Sequence, residues 1–517
     1  MILDDQRWIR NLVRIGLPAI VLIFYVTAAT HFDYTPDDTY IYLQFAKNIV
    51  RGDGFAFNQG EPSYGITSPL WSLLISLGGW LGIDLYVAAK GLDLVLACAV
   101  LLAVYALALE VMREHLRALL ATLAFSANVW FIRWSGTGME TSFAILLAVS
   151  TVLFCLRNEY FPAIVLAALM TLTRPEGALL ALLVFVDVWM NSLSKKRGWK
   201  MAGALFVVYL ALLTPWFVYA LTSFGSVLPN TMLAKSSAMW TGADLQLTFT
   251  EVVERLAVSD GIAIVVLFVC LVSMLRRRKE SAPAPEGMPK DMREPQLISH
   301  GEWLRFHFLP LAWIGALPLG YIVAQSQVVS RYLVLVSPFV TVYAFAVLSR
   351  LLARRRSEQP KLLLALSMAG VLIAQNGFAY HVWVKPSIGS FTQDMQECLI
   401  PIGKWLKANT PTDAVVFAPD IGAIGYYSDR KICDAAALVS PEFLPLVRSG
   451  QRLDDIVQAG AYRTLCGASY VVYRSHEPKS LQRQDLEPLF TKIVFGLAVS
   501  DMRTAYYTVY KVRGDHN

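Results

Sequence analysis

Charge is what this chain has least of. Only 16% of its 517 residues are Asp, Glu, Lys or Arg, against 56% apolar. The basic excess is a net charge of +6, and it sits in short clusters between apolar runs, with no tract to grip nucleic acid. Cysteine is sparse as well. The six cysteines have no CxxC spacing, which argues against a zinc site. There is no phosphate-cradling glycine loop, no GxSxG and no HExxH, and no internal repeat. The first apolar run, Leu12 to Ala29, lacks a small-residue cleavage pattern and follows Arg7, Arg10 and Arg14, so it reads as a retained anchor.

What the chain does have is a series of apolar runs long enough to cross a bilayer. The candidate spans are 12–30, 86–111, 116–132, 140–156, 161–173, 176–191, 202–222, 260–275, 306–325, 332–350 and 361–383. These make an α-helical polytopic membrane protein of about eleven transmembrane helices. The piece Pro69 to Leu81 is too short to cross. It reads as a surface helix in the first outer loop, begun by Thr67-Ser68-Pro69. With that assignment and the amino terminus inside, the clusters at Arg113/Arg117, Lys195–Lys200, Arg276–Lys279 and Arg354–Arg356 all fall on the inner side. The carboxyl-terminal region then lies outside. Residues 1–384 form the membrane domain. Residues 385–517 form an extracytoplasmic α/β domain, with strands expected at 414–418, 469–473, 493–499 and 504–512 and helices at 393–408 and 441–449. The inner segment 276–305 is Pro-, Glu- and Lys-rich and reads as a connector. An oxidising exterior would permit one disulfide among Cys398, Cys433 and Cys466.

The stretch Thr35 to Trp71, TPDDTYIYLQFAKNIVRGDGFAFNQGEPSYGITSPLW, carries the chemistry. Thr35-Pro36-Asp37-Asp38 has the form of a helix start, with Thr35 as cap and the acids favouring the dipole. Asp37 and Asp38 also sit just after a span, and neighbouring carboxylates raise each other's pKa, which suits a general base for a sugar hydroxyl. In the helix that follows, Tyr40, Ile41, Phe45 and Ile49 would face the membrane surface. Four cations, Arg133, Arg174, Lys235 and Arg331, lie near outer span ends, where they either snorkel or bind a lipid-linked phosphate. Glu140 and Glu176 would orient or neutralise them, and Asn230 would donate to a sugar hydroxyl or form an ordinary turn. His31 beside the acids leaves a divalent metal open. Gly52-Asp53-Gly54 and Asp420 to Gly425 read as turns.

In the order of these features the chain resembles the GT-C superfamily of integral-membrane glycosyltransferases, which use polyprenyl-phosphate sugars. The early loop from Asp37 to Trp71 resembles that of the terminal arabinofuranosyltransferase branch of mycobacteria. Met139-Glu140-Thr141, Thr173 to Gly177, Pro229-Asn230-Thr231 with Lys235, Arg331-Tyr332, and Asp420 to Tyr427 with Leu438 to Pro441 look like later landmarks. The resemblance implies inverting transfer from a polyprenyl-phosphate sugar to a cell-envelope glycan or lipid acceptor, on the outer face of a bacterial cytoplasmic membrane. Asp37 would be the base, with Asp38 assisting or binding the acceptor. Tyr40 would belong to the sugar site. The donor sugar need not be arabinofuranose. Gln44 stands where the family usually has Arg. No organic cofactor is implied, and the partners are membrane lipids and sugars, with no nucleic acid. The rival readings are a transporter or flippase of lipid-linked sugars and a non-catalytic glycan-binding membrane protein.

Overall fold

The computed structural model describes residues 2–192, 195–235, 242–277, 300–352, 359–496 and 504–513. Most of the 276–305 connector lies outside the described residues.

A long first helix, α1 (Ile2–Ala29), leads into the first long loop, which holds α2 (Asp37–Arg51), a small hairpin of β1 (Ala56–Asn58) and β2 (Glu61–Pro62), and α3 (Pro69–Trp80). The bundle continues through α4 (Leu85–Met112), α5 (His115–Ser126), α6 (Val129–Trp134), α7 (Thr141–Leu156), α8 (Tyr160–Thr173), α9 (Gly177–Asn191), α10 (Lys195–Phe224) and α11 (Asn230–Lys235). It is completed by α12 (Gly242–Arg277), α13 (His300–Phe306), α14 (Phe308–Ala324), α15 (Ser330–Leu333), α16 (Ser337–Leu351) and α17 (Gln359–Ala379). The stretch 116–132 is not one rod. It breaks at Asn128, whose side chain accepts from the N–H groups of Trp130 and Phe131 and starts α6 anew.

Among the described residues, five helices are long and apolar enough to cross a membrane: Asn11–Ala29, Leu85–Met112, Lys196–Phe224, Asp244–Arg276 and the rod Gln359–Asn409. Shorter apolar helices pack among them, including α7, α8 and α9. With 14 to 16 residues these three are about 21–24 Å long at the usual rise, less than the roughly 30 Å of a hydrocarbon core. Glu140, Arg174 and Glu176, at the ends of these three helices, meet one another.

The boundary at 384/385 falls inside a continuous helix. Helix α17 runs on through two π-helical turns, Tyr380–Val384 and Met395–Leu399, into α18 (Lys385–Asp394) and α19 (Ile400–Asn409). Beyond it lies a five-stranded sheet of order β4-β3-β5-β7-β6. Here β3 (Val415–Ala418) pairs in parallel with β4 (Lys431–Asp434) and β5 (Tyr470–Ser475), while β7 (Ala505–Val512) pairs antiparallel with β5 and with β6 (Leu486–Val494). The strand expected at 493–499 begins earlier, at Leu486, and residues 497–499 lie outside the described set. The short strand β4 carried no alternation long enough to be read.

Helix α2 corrects an expectation. Tyr40, Ile41, Phe45 and Ile49 do not face lipid. They are buried in a shared core with Trp71 and Ile75 of α3 and Ile402, Leu406, Val416 and Ile424 of the carboxyl-terminal domain. Apolar burial, not membrane adsorption, thus fixes α2. Asp420 to Gly425 is likewise no turn. From Gly422 it forms a helix, α20 (Gly422–Ser428), packed on α2. Cys433 of β4 is bonded to Cys466 across 33 residues, and Cys398 is buried and free. Maleimide labelling of the denatured protein should leave Cys433 and Cys466 unmodified until a reductant is added. Cys433→Ser should lower the stability of this domain by about 2–4 kcal/mol. Full labelling without reductant would contradict the bond.

Candidate functional site

The first turn of α2 sends two neighbouring carboxylates to different places. Thr35 does not cap it. The hydroxyl of Thr35 is taken by the Lys90 ammonium at 2.8 Å and by the Tyr86 hydroxyl at 2.9 Å, so the helix starts at Asp37 after Pro36. Asp37 turns to the carboxyl-terminal domain. Its Oδ2 accepts from the Gly422 N–H at 2.9 Å and its Oδ1 from the Ala423 N–H at 2.8 Å. The approach requires glycine: a Cβ on Gly422 would collide with the Asp37 backbone carbonyl. Asp38 turns the other way. Its Oδ2 accepts from Nη2 of Arg331 at 2.6 Å, and it lines a cavity of about 490 Å³.

That cavity gathers most of the charged residues singled out in the sequence. Asp38, Glu140, Arg174, Glu176 and Arg331 line it, with Tyr42, Thr67, Tyr321 and Tyr332. Arg174 is buried and donates to Glu140 and Glu176, each at 2.8 Å, and its guanidinium lies over the Tyr332 ring. Tyr321 donates to Glu176. Arg331 lies near the rings of Trp134 and Tyr332. The carboxyl-terminal domain closes one side through Ala436 and Leu438. Their loop is shaped by the Asp434 carboxylate, which accepts from the N–H groups of Ala436, Leu438 and Val439.

Other expected residues are elsewhere. Asp37 is not in the cavity lining, nor are Arg133, Asn230 and Tyr40. Arg133 sits beyond Trp134 and donates to the Tyr34 hydroxyl at 3.3 Å. The Asn230 side-chain amide donates to the Leu438 carbonyl at 3.0 Å, so it ties α11 to the cavity roof and is not aimed at a ligand. Tyr40 packs against Tyr86, Tyr426 and Tyr427. Gln44 is buried and donates to the Phe57 carbonyl. The Lys235 side chain lies outside the described residues. His31 bonds the Tyr380 hydroxyl, and no metal-sized cluster of three His, Cys, Asp or Glu side chains occurs among the described residues. Tyr42 and Tyr321 were missed because each sits in an otherwise ordinary apolar pattern.

Helix α4 fastens the loops that carry these groups. Lys90 donates to the Tyr34 carbonyl and the Thr35 hydroxyl just before the acids. Asp93, one turn on, accepts from the Gly138 N–H at 3.1 Å and the Thr137 hydroxyl at 3.3 Å just before Glu140. Thr39 donates to the Thr137 carbonyl and Trp71 to the Gly138 carbonyl, so α2 and α3 meet the same turn. Gly138 has φ +84°, and a Cβ there would strike Thr39.

Comparison with solved structures decides the architecture. The apo structure of ArnT from Cupriavidus metallidurans matches over 95% of this chain and 97% of that one, with a TM-score of 0.58 and 14% identity. The apo Archaeoglobus fulgidus oligosaccharyltransferase matches over 88% of this chain and 69% of that one, with a TM-score of 0.58 and 12% identity. The fold is the GT-C fold. The chain is a multi-pass membrane protein with this GT-C bundle and a carboxyl-terminal sheet region. Residues 389–510 match a domain of unknown function, DUF8728. In sequence, 46 residues are 44% identical to the terminal β-(1→2)-arabinofuranosyltransferase of Mycobacterium tuberculosis, a match spanning 9% of this chain and 7% of that protein.

The electrostatics around α2 separate the acids further. Burial pushes the Asp37 carboxyl up to about 7. Asp420 adds to the rise, the two N–H bonds oppose it, and Asp38 contributes least. A carboxyl with a raised native pKa keeps a proton that the unfolded chain loses above about 3.8. Stability from this site is therefore full below pH 4 and is lost as pH rises towards 7. Asp37→Asn should flatten that part of the thermal-stability profile between pH 4 and 7. Identical slopes in the variant and the wild type would contradict the assignment.

Proposed function

We propose that this protein is an inverting glycosyltransferase that moves a sugar from a polyprenyl-phosphate donor to an acceptor hydroxyl, with Asp38 as the general base. The observation that carries the reading is the Asp38–Arg331 pair on the wall of the cavity. A base must reach its proton before its pKa matters. Asp37 has a pKa suited to the task, but both its oxygens are committed to backbone N–H groups outside the cavity. Asp38 lines the cavity and stands beside a guanidinium that suits phosphate.

The chemistry follows from that placement. Asp38 takes the proton of the acceptor hydroxyl. The resulting oxygen attacks the anomeric carbon from the face opposite the phosphate. The bond from that carbon to the phosphate oxygen breaks, and the lipid phosphate leaves with the bonding electrons. Arg331 lines the cavity and has N–H donors beyond the one it gives Asp38, so its guanidinium can hold the departing phosphate. The phosphate is a good leaving group without a general acid.

Support for a lipid-phosphate donor comes from two structures of the same fold. One is ArnT bound to undecaprenyl phosphate, with a TM-score of 0.57 and 13% identity. The other is AglB in complex with an inhibitory peptide and a dolichol-phosphate, with a TM-score of 0.56 and 12% identity. The short arabinofuranosyltransferase match makes arabinofuranose the first donor to try. The Cys433–Cys466 bond and the clustering of basic residues favour an outer-face location for the carboxyl-terminal domain.

Turnover of a panel of polyprenyl-phosphate pentoses and hexoses by purified protein tests the reading. Asp38→Asn should lower turnover by about a hundredfold or more. Asp37→Asn should keep most of it at neutral pH. The reverse ranking would return the base role to Asp37, and absence of any transfer would favour a transporter or binding protein.

A further inference from the structure

The sequence placed Arg174 among the phosphate-binding cations, and its surroundings point elsewhere. Both terminal nitrogens are engaged, Nη1 by Glu140 and Nη2 by Glu176, in pairs whose side chains are only 3–14% exposed. In the cavity lining three carboxylates face two guanidiniums, leaving one negative charge in excess. A phosphate reaching Arg174 would displace one of its carboxylates. It would strand a buried, unpaired acid beside a second anion, which is the costly arrangement for a low-dielectric site.

The unused capacity of this wall has a definite chemical character. Oε2 of Glu140, Oε2 of Glu176 and Nε of Arg174 are buried with no hydrogen-bond partner among the described residues. The terminal torsion of a glutamate is soft, so a small rotation presents the spare oxygen to the cavity. Two spare acceptors and a spare donor have to be satisfied together. Phosphate oxygens would meet only the donor, and an ammonium only the acceptors. A hydroxyl donates and accepts at once.

We propose that Glu140, Arg174 and Glu176 form a wall that recognises the hydroxyl groups of a neutral sugar, with Arg174 positioning the two carboxylates, and that phosphate is gripped on the Arg331 side alone. This rests on the glycosyl-transfer reading above and assigns the two halves of the cavity to the two halves of the donor. The arrangement has a local origin. Glu140 and Glu176 precede the amino termini of α7 and α9, and Arg174 follows the carboxyl terminus of α8, so each charge complements a helix dipole while it faces the cavity.

The full-length protein in lipid nanodiscs is titrated with undecaprenyl phosphate carrying no sugar, and then with the polyprenyl-phosphate sugar that gives the best turnover. Arg331→Gln should weaken binding of the bare lipid phosphate by about tenfold or more, the scale of one charge-assisted contact. Arg174→Gln and Glu140→Gln should leave it within about threefold while abolishing the preference for the sugar-bearing lipid. Retained binding of the bare lipid shows that the variants are folded. If Arg174→Gln does not fold, Glu140→Gln, a neutral isostere, carries the test by the same two affinities. Loss of bare-lipid binding in Arg174→Gln matching that in Arg331→Gln, or an unchanged sugar preference in Glu140→Gln, overturns the wall. Wild-type protein that binds no lipid phosphate overturns the functional reading, and the wall with it.

Discussion

Successive residues on an α-helix point about 100° apart, and this protein uses that angle to give adjacent carboxylates opposite tasks. Asp37 reaches out to the first two N–H groups of α20 and ties the first long loop to the carboxyl-terminal domain. Asp38 reaches in to Arg331 and the cavity. Neither task survives a change of register in α2. Helix α2 is buried without a break from Thr39 to Ala46, so packing on every side does more than hold it down. It decides which acid is structural and which is available for chemistry.

The same economy runs through the bundle. Helix α4 places Lys90 and Asp93 one turn apart in a dry environment, where a charge is tolerated only when it is fully used. One fixes the approach to the acids and the other fixes the Gly138 turn before Glu140. Short helices α7, α8 and α9 bring their charged ends together at the cavity wall. The polarity of the cavity is thus set by charges at helix ends. The carboxyl-terminal domain completes it with a loop that Asp434 has wound around itself, close to the cysteine that ties β4 to Cys466.

Much of this could be read beforehand. Apolar runs located most of the bundle, and Asp38, Glu140, Arg174, Glu176 and Arg331 were all named from their positions at span ends. Partners could not be read. The pairing of Arg174 with two glutamates depends on three helices meeting, which no local pattern encodes. Asp37 and Asp38 look alike in sequence because the feature that separates them, a glycine almost four hundred residues away at Gly422, is visible only once the domains are docked. Thr35 looked like a cap for the same reason: its competitor for the hydroxyl, Lys90, belongs to a different helix. The apolar side chains of α2 that looked suited to lipid are suited equally to a protein surface, since burial does not depend on what covers it.

The most direct measurement is a structure of the protein with undecaprenyl phosphate bound. The phosphate should lie within hydrogen-bonding distance, about 3 Å, of the Arg331 guanidinium, with the Asp38 carboxylate turned to the open side of the cavity and Asp37 still bonded to α20. A phosphate seated between Glu140 and Glu176 on Arg174, or an Asp37 side chain released from Gly422 and directed at the lipid, would contradict it.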